Sequence, residues 1–179
     1  TGWRSLAVAM NNHGGFAPSA VDSALTRAFV LSGRLNERER DRTFAYYYLR
    51  SPAHGDRGKG IAAYERMVAR EGEPSLLNGL ALQYVSRREY ARAETLYRAA
   101  IARSPKFGFP AGNILTPLRL QAKPGAFDSA LAAVSKNFPG ISETSYDGFT
   151  RERDFGSLDV AYAELDSARK AGDKLLPTQ

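Results

Sequence analysis

Between residues 74 and 105 the apolar positions recur with the period of an α-helix, and they do so twice. Leu77, Leu80, Ala81 and Tyr84 stand at i, i+3, i+4 and i+7, which is one face of a helix. Ala93, Leu96, Tyr97, Ala100 and Ile101 repeat the pattern one helix later. Pro74 suits a first helical turn, where its missing N–H leaves no bond unmade. Ser86-Arg87-Arg88-Glu89 has the spacing of a capping box and predicts the start of the second helix. Ser104-Pro105 ends it, because proline restricts the residue before it and cannot continue the backbone ladder. Ala81 and Ala93 are small where two antiparallel helices would cross, and Tyr84 and Tyr97 are large beside them. That alternation suits close ridge-and-groove packing.

The same paired pattern returns along the chain. Trp3, Leu6, Ala7 and Met10 predict a first helix; Pro18, Val21, Ala24, Leu25 and Ala28 predict its partner after an enlarged turn at His13-Gly14-Gly15. Phe44, Tyr47 and Tyr48 precede a turn at residues 51–56, and Gly60, Tyr64, Met67 and Val68 follow it. Ala111, Ile114, Leu115 and Leu118 lead to Pro124-Gly125, then to Phe127, Ala130, Leu131 and Val134. Tyr146, Phe149, Leu158, Ala161, Tyr162, Leu165 and Ala168 complete a degenerate last unit. The expected organisation is five helix–turn–helix units, about 1–33, 36–73, 74–107, 108–140 and 142–172, in one all-α domain. Pro117 falls inside a predicted helix, so a kink or a shortened helix is expected there. No segment alternates strictly, so no sheet is predicted.

The residues Leu77-x-x-Leu80-Ala81-x-x-Tyr84, followed by Ala93-x-x-x-Tyr97, Ala100 and Pro105, resemble the tetratricopeptide repeat, with Leu77 for the usual Trp and Ala81 for Gly. The resemblance implies an α-α superhelix, a solenoid whose first helices line a concave face that binds another protein or an extended peptide. The inner residues it implies are Tyr46, Leu49, Asn78, Leu82, Asn113 and Arg119, preceded by Arg4 and Val8 in the first unit. Asn113 matches the asparagine with which the family often holds a peptide backbone or carboxylate. The third unit has Gly79 at the matching place, a departure from a paired clamp. The style of Ala24-Leu25-Thr26-Arg27-Ala28 and Ala62-Ala63-Tyr64-Glu65-Arg66 is similar to repeat regions of larger bacterial signalling proteins such as serine/threonine kinases. Residue 1 is Thr, so the chain is expected to be a segment of a longer parent. Its compartment is left open.

Charge and composition sharpen this picture. The net charge is +6. Residues 27–106 carry 16 Lys/Arg against 9 Asp/Glu, while residues 1–26 carry only Arg4 and Asp22. A basic middle suggests an alternative, a nucleic-acid-binding helical repeat. Tyr46, Asn78 and Asn113 lack the regular code that reading bases from successive helices requires, so nucleic acid is the less expected partner. Solvated helix faces account for dispersed, mixed charge.

Candidate chemistry is sparse. Cysteine is absent and only His13 and His54 are present, which leaves too few ligands for a zinc site. Gly55-Asp56-Arg57-Gly58-Lys59-Gly60 resembles a phosphate-binding loop but fails it. Ala53 stands where the first glycine is needed, and Gly60 where a Ser or Thr must follow the lysine. This segment reads as an inter-helix turn. No serine has a recognisable base beside it in sequence, and Ser51 reads as a turn residue. The expectation is therefore a non-enzymatic chain without cofactor or metal. No apolar run approaches the roughly 20 residues that span a bilayer.

Overall fold

A computed structural model describes residues 2–138 together with Ala163. Every regular element among the described residues is helical: α1 Gly2–His13, α2 Pro18–Val30, α3 Glu37–Arg50, α4 Arg57–Glu71, α5 Pro74–Ser86, α6 Tyr90–Arg103, α7 Gly108–Asn113, α8 Leu115–Leu120 and α9 Pro124–Asn137. A 3-10 turn, Leu31–Arg34, follows α2. The expected fifth unit, residues 142–172, lies outside the described residues. The chain divides into two compact units, residues 1–80 and 81–179, with the boundary inside α5.

In the first unit α1 packs on α2, α2 on α3, and α3 on α4. One core cluster joins Ala7, Met10, Val21, Ala24, Leu25 and Tyr47; a second joins Ala45, Ala63, Met67 and Leu76. Local chemistry sets the helix ends. Asn36 caps α3 by accepting from Glu39 N–H, and Asp56 caps α4 by accepting from Lys59 N–H. Gly72 ends α4 in the left-handed region at φ 59°, a conformation that penalises a Cβ, and its N–H bonds back to the Val68 carbonyl. Gly58, Lys59 and Gly60 belong to the first turn of α4, not to the inter-helix turn expected for them. Gly60 is buried because α3 comes close. A Cβ there would stand 2.5 Å from Leu49 Cγ.

In the second unit α6 contacts α7 and α8, and α9 contacts both. Ala81, Ala93, Tyr97 and Ala100 are fully enclosed, with Ile114, Leu118, Phe127 and Val134. The predicted first helix of the fourth unit is interrupted as expected: α7 ends at Asn113 and α8 begins at Leu115. Pro117 supplies no N–H for the carbonyl four residues back, at Asn113, so the break falls there. The capping box expected at residues 86–89 does not form. Arg88 turns the chain at φ 61°. The Ser86 hydroxyl donates back to the Gln83 carbonyl, and Glu89 takes the N-cap place without a side-chain cap bond.

Two apolar expectations need correction. Trp3 and Leu6 were read as packing residues, yet both are exposed. Their helix has a neighbour on the Ala7/Met10 side, and periodicity alone does not show which other side is covered.

Candidate functional site

The six residues implied for a groove lie on four helices. Tyr46 and Leu49 are on α3, Asn78 and Leu82 on α5, Asn113 closes α7 and Arg119 is in α8. Leu82 is exposed and the other five are half-buried. Within α5, Ser75, Asn78 and Leu82 form a stripe at i, i+3 and i+7. Leu76, Leu77, Leu80, Ala81 and Tyr84 occupy the opposite, buried side. The helix is thus divided into a packing side and an outward side.

On α3 the division is less clean. Of the three consecutive tyrosines, Tyr47 is buried and stacks on Phe29 at 4.3 Å between ring centroids. Tyr48 meets both rings edge-on. Tyr46 packs against the same cluster from its margin. Burial raises the pKa of its hydroxyl, with Tyr64 adding to the effect and Arg50 opposing it. Leu49 lies against Gly60, which commits it to the α3–α4 contact. Gly79 has a definite neighbour: a Cβ there would stand 2.8 Å from a ring carbon of Tyr64 and 3.1 Å from its hydroxyl. The position that the resemblance matches to Asn113 thus faces, in the third unit, a tyrosine from α4.

A cluster missed in the sequence joins α2 to the turn after α3. The Ser51 hydroxyl donates to Asp22 Oδ1, and Ala53 N–H points to the same oxygen at 3.4 Å. His54 Nδ1 lies 3.5 Å from Asp22 Oδ2 and 3.5 Å from Ser51 Oγ. The Ser51 hydroxyl holds the Asp22 carboxyl below the usual carboxylate range against the opposing effect of burial, with help from Ala53 and His54. The expectation that no serine has a base beside it is corrected here. The three side chains are 29 and 3 residues apart, so only the fold brings all of them together. Their order is that of a fastening: the serine bonds the carboxylate directly, and the imidazole does not stand between them. Ser51 is buried.

The basic middle is largely spent on internal pairs. Asp41 is buried and takes Arg66 at 2.7 Å and Arg70 at 3.1 Å. Glu71 takes Arg38 at 2.8 Å and Arg42 at 3.2 Å. Arg4 reaches Glu39 at 2.8 Å. In the second unit Arg87 and Arg92 flank Glu89, and Arg98 and Lys123 flank Glu94. Lys59 pairs with Asp56 and lies over the Tyr48 ring. Among the described residues no three His, Cys, Asp or Glu converge as a metal site would require, and no helix is long and apolar enough to cross a membrane.

Comparison with known proteins fits this architecture. A solved structure of MamA from AMB-1, a tetratricopeptide-like helical-repeat protein, aligns with a TM-score of 0.66 at 14% identity, covering 98% of this chain and 96% of that one. The chain has a tetratricopeptide-like all-α repeat fold. No family model and no curated protein matches its sequence. At this identity the likeness concerns the fold alone. It agrees with the repeat pattern read at residues 74–105, and it says nothing about a kinase context.

Proposed function

We propose that the chain is a non-enzymatic scaffold that binds another protein by an extended peptide laid along the first helices of its repeats. The observation that carries this reading is the sidedness of α5, where Ser75, Asn78 and Leu82 face away from a fully buried apolar stripe. Such a stripe offers a peptide both an apolar contact and a hydrogen-bonding amide. The resemblance adds Tyr46 and Leu49 in the first unit and Asn113 and Arg119 in the second, with Asn113 as the most telling polar group. The finer reading, a docking or sensory segment of a larger bacterial signalling protein, rests on sequence style alone. Nucleic-acid binding is disfavoured because so many of the middle arginines already hold carboxylates, and a phosphate backbone would have to compete with those partners.

The test is a pull-down to recover a partner, followed by calorimetry with Leu82→Ala and Asn113→Ala. Each is expected to weaken binding by roughly 5- to 150-fold, the value of about 1–3 kcal/mol lost with a hydrogen bond or a buried apolar group, with little change in melting temperature. Unchanged affinity in both variants removes this surface from consideration. Tight, strongly salt-dependent binding of homopolymer RNA would favour the nucleic-acid alternative instead.

A further inference from the structure

We propose that Arg50, Tyr46 and Tyr64 form a subsite for an acidic side chain of a partner peptide, which rests on the scaffold reading above and gives that partner a chemistry. Tyr46 and Arg50 stand at i and i+4 on α3 and so share a side of that helix. Tyr64 comes from α4 and reaches α5, where its hydroxyl lies 3.1 Å from the place a Cβ of Gly79 would take. Only a residue without a Cβ leaves the Tyr64 ring this room, since a ring carbon lies 2.8 Å from the same place. Gly79 is one turn from exposed Ser75, so the hydroxyl emerges beside the outward stripe of α5. Tyr46 packs against the core cluster that contains Leu25 and Tyr47, and Tyr64 against the one that contains Met67 and Leu76. Both rings are thereby held in place.

The three polar groups are neighbours. Arg50 acts electrostatically on both phenols, and Tyr64 on Tyr46. Burial raises the pKa of both hydroxyls, so they stay protonated and can donate. Neither makes a hydrogen bond among the described residues. Charge selects the occupant. Arg38, Arg40 and Arg42 of α3 each hold a glutamate, and Arg66 and Arg70 of α4 hold Asp41. Arg50 is exposed and makes no ion pair among the described residues. Its guanidinium therefore keeps its fork for an incoming carboxylate, and the two hydroxyls offer that carboxylate further donors. Residues 27–106 carry 16 Lys/Arg against 9 Asp/Glu, an excess that draws an acidic segment and repels a basic one.

Calorimetry on the whole chain tests this with two probes, a short capped peptide of alternating Glu and Ala and the same peptide with Gln for Glu. The Glu peptide is expected to bind and the Gln peptide to bind far more weakly. Arg50→Gln should weaken the Glu peptide roughly tenfold or more, and Tyr46→Phe and Tyr64→Phe about three- to tenfold each. Arg88→Gln removes the charge of another exposed arginine, in the turn before α6, and should change affinity less than about twofold. Circular dichroism verifies that the variants stay folded; the tyrosine variants keep their rings. Equal losses from Arg50→Gln and Arg88→Gln would mean a diffuse field and overturn the subsite. So would a Gln peptide that binds as well as the Glu peptide, or no binding of either. Homopolymer RNA that binds more tightly than the Glu peptide, with the same dependence on Arg50, overturns the acidic-peptide assignment. With a partner recovered by pull-down, affinity that falls with Leu82→Ala but not with Arg50→Gln removes the subsite and leaves the scaffold reading standing.

Discussion

The two compact units are held together by different means. Each buried polar or charged residue among those described, Ser32, Asp41, Thr43 and Ser51, lies in the first unit. There the seams are fastened by specific bonds. Asp41 takes two arginines from α4, Asp22 takes the turn after α3, and Phe29, Tyr47 and Tyr48 stack between α2 and α3. The second unit closes on fully enclosed alanines and on Tyr97, Phe127 and Leu118. Its polar contacts stay nearer the surface, where Gln121 and Lys123 reach Glu94. The second unit contains most of the chain's regular repeat sequence, and the first contains the irregular turn at 51–56. A regular small-and-large pattern lets helices close by shape. An irregular one leaves gaps and exposed backbone that particular polar groups must satisfy.

The largest test of that contrast is overpacking. Ala81 is fully enclosed, so Ala81→Trp must displace close-packed neighbours. The expected loss is about 1–3 kcal/mol or more, against almost nothing for Arg88→Ala in the exposed turn. Thermal unfolding by circular dichroism measures both. An Ala81→Trp protein that melts with the wild type would show that shape does not hold this unit together.

What the sequence disclosed follows the same line. Leu77, Leu80, Ala81, Tyr84, Ala93, Tyr97 and Ala100 were all read as packing residues, and all are buried, because helical period reports directly on a face that neighbours cover. The break before Pro117 was legible because proline acts on its own backbone. Trp3 and Leu6 depart from the pattern because a period does not say which sides of a helix its neighbours cover. The capping box at Ser86 was misread because Arg88 enters the left-handed region, which no spacing rule anticipates. The Asp22–Ser51–His54 cluster and the Asp41 pairs were invisible because Asp22 meets residues 29 and 32 positions on, and Asp41 meets residues 25 and 29 positions on. The proposed groove was legible only through resemblance. Of its members, Leu49 also serves the α3–α4 contact and Tyr46 the margin of a core.

A smaller test concerns a buried side-chain oxygen that the second unit's described core leaves unserved. The Tyr97 hydroxyl is buried and makes no hydrogen bond among the described residues. Burial pushes its pKa far up, so it stays neutral. Tyr97→Phe removes the hydroxyl and keeps the ring. An unsatisfied buried hydroxyl costs on the order of 1–2 kcal/mol, so the variant should be as stable as the wild type or more stable by up to that amount. A clear drop in melting temperature would mean that the hydroxyl has a partner.

The smallest expected effect lies in the first unit and tests whether its polar fastenings respond to pH. The folded-state pKa of Asp22 is lowered, chiefly by the Ser51 hydroxyl. A carboxyl whose folded pKa is depressed stabilises fully above its unfolded value, about 3.9, and loses that stabilisation as pH falls through the lower folded value. Asp22→Asn keeps an oxygen that accepts from Ser51 but removes the titrating charge. At neutral pH the variant should therefore be the less stable, by on the order of 1 kcal/mol, or a few degrees in melting temperature. The two melting curves should converge in acid, below the ordinary carboxylate range. His54→Gln should leave this profile nearly intact, because the serine exerts the largest effect on the carboxylate and the imidazole a minor one. A gap between wild type and Asp22→Asn that persists unchanged into acid would show that the charge contributes nothing. If His54→Gln abolished the pH dependence instead, the imidazole and not the serine would be what secures the turn to α2.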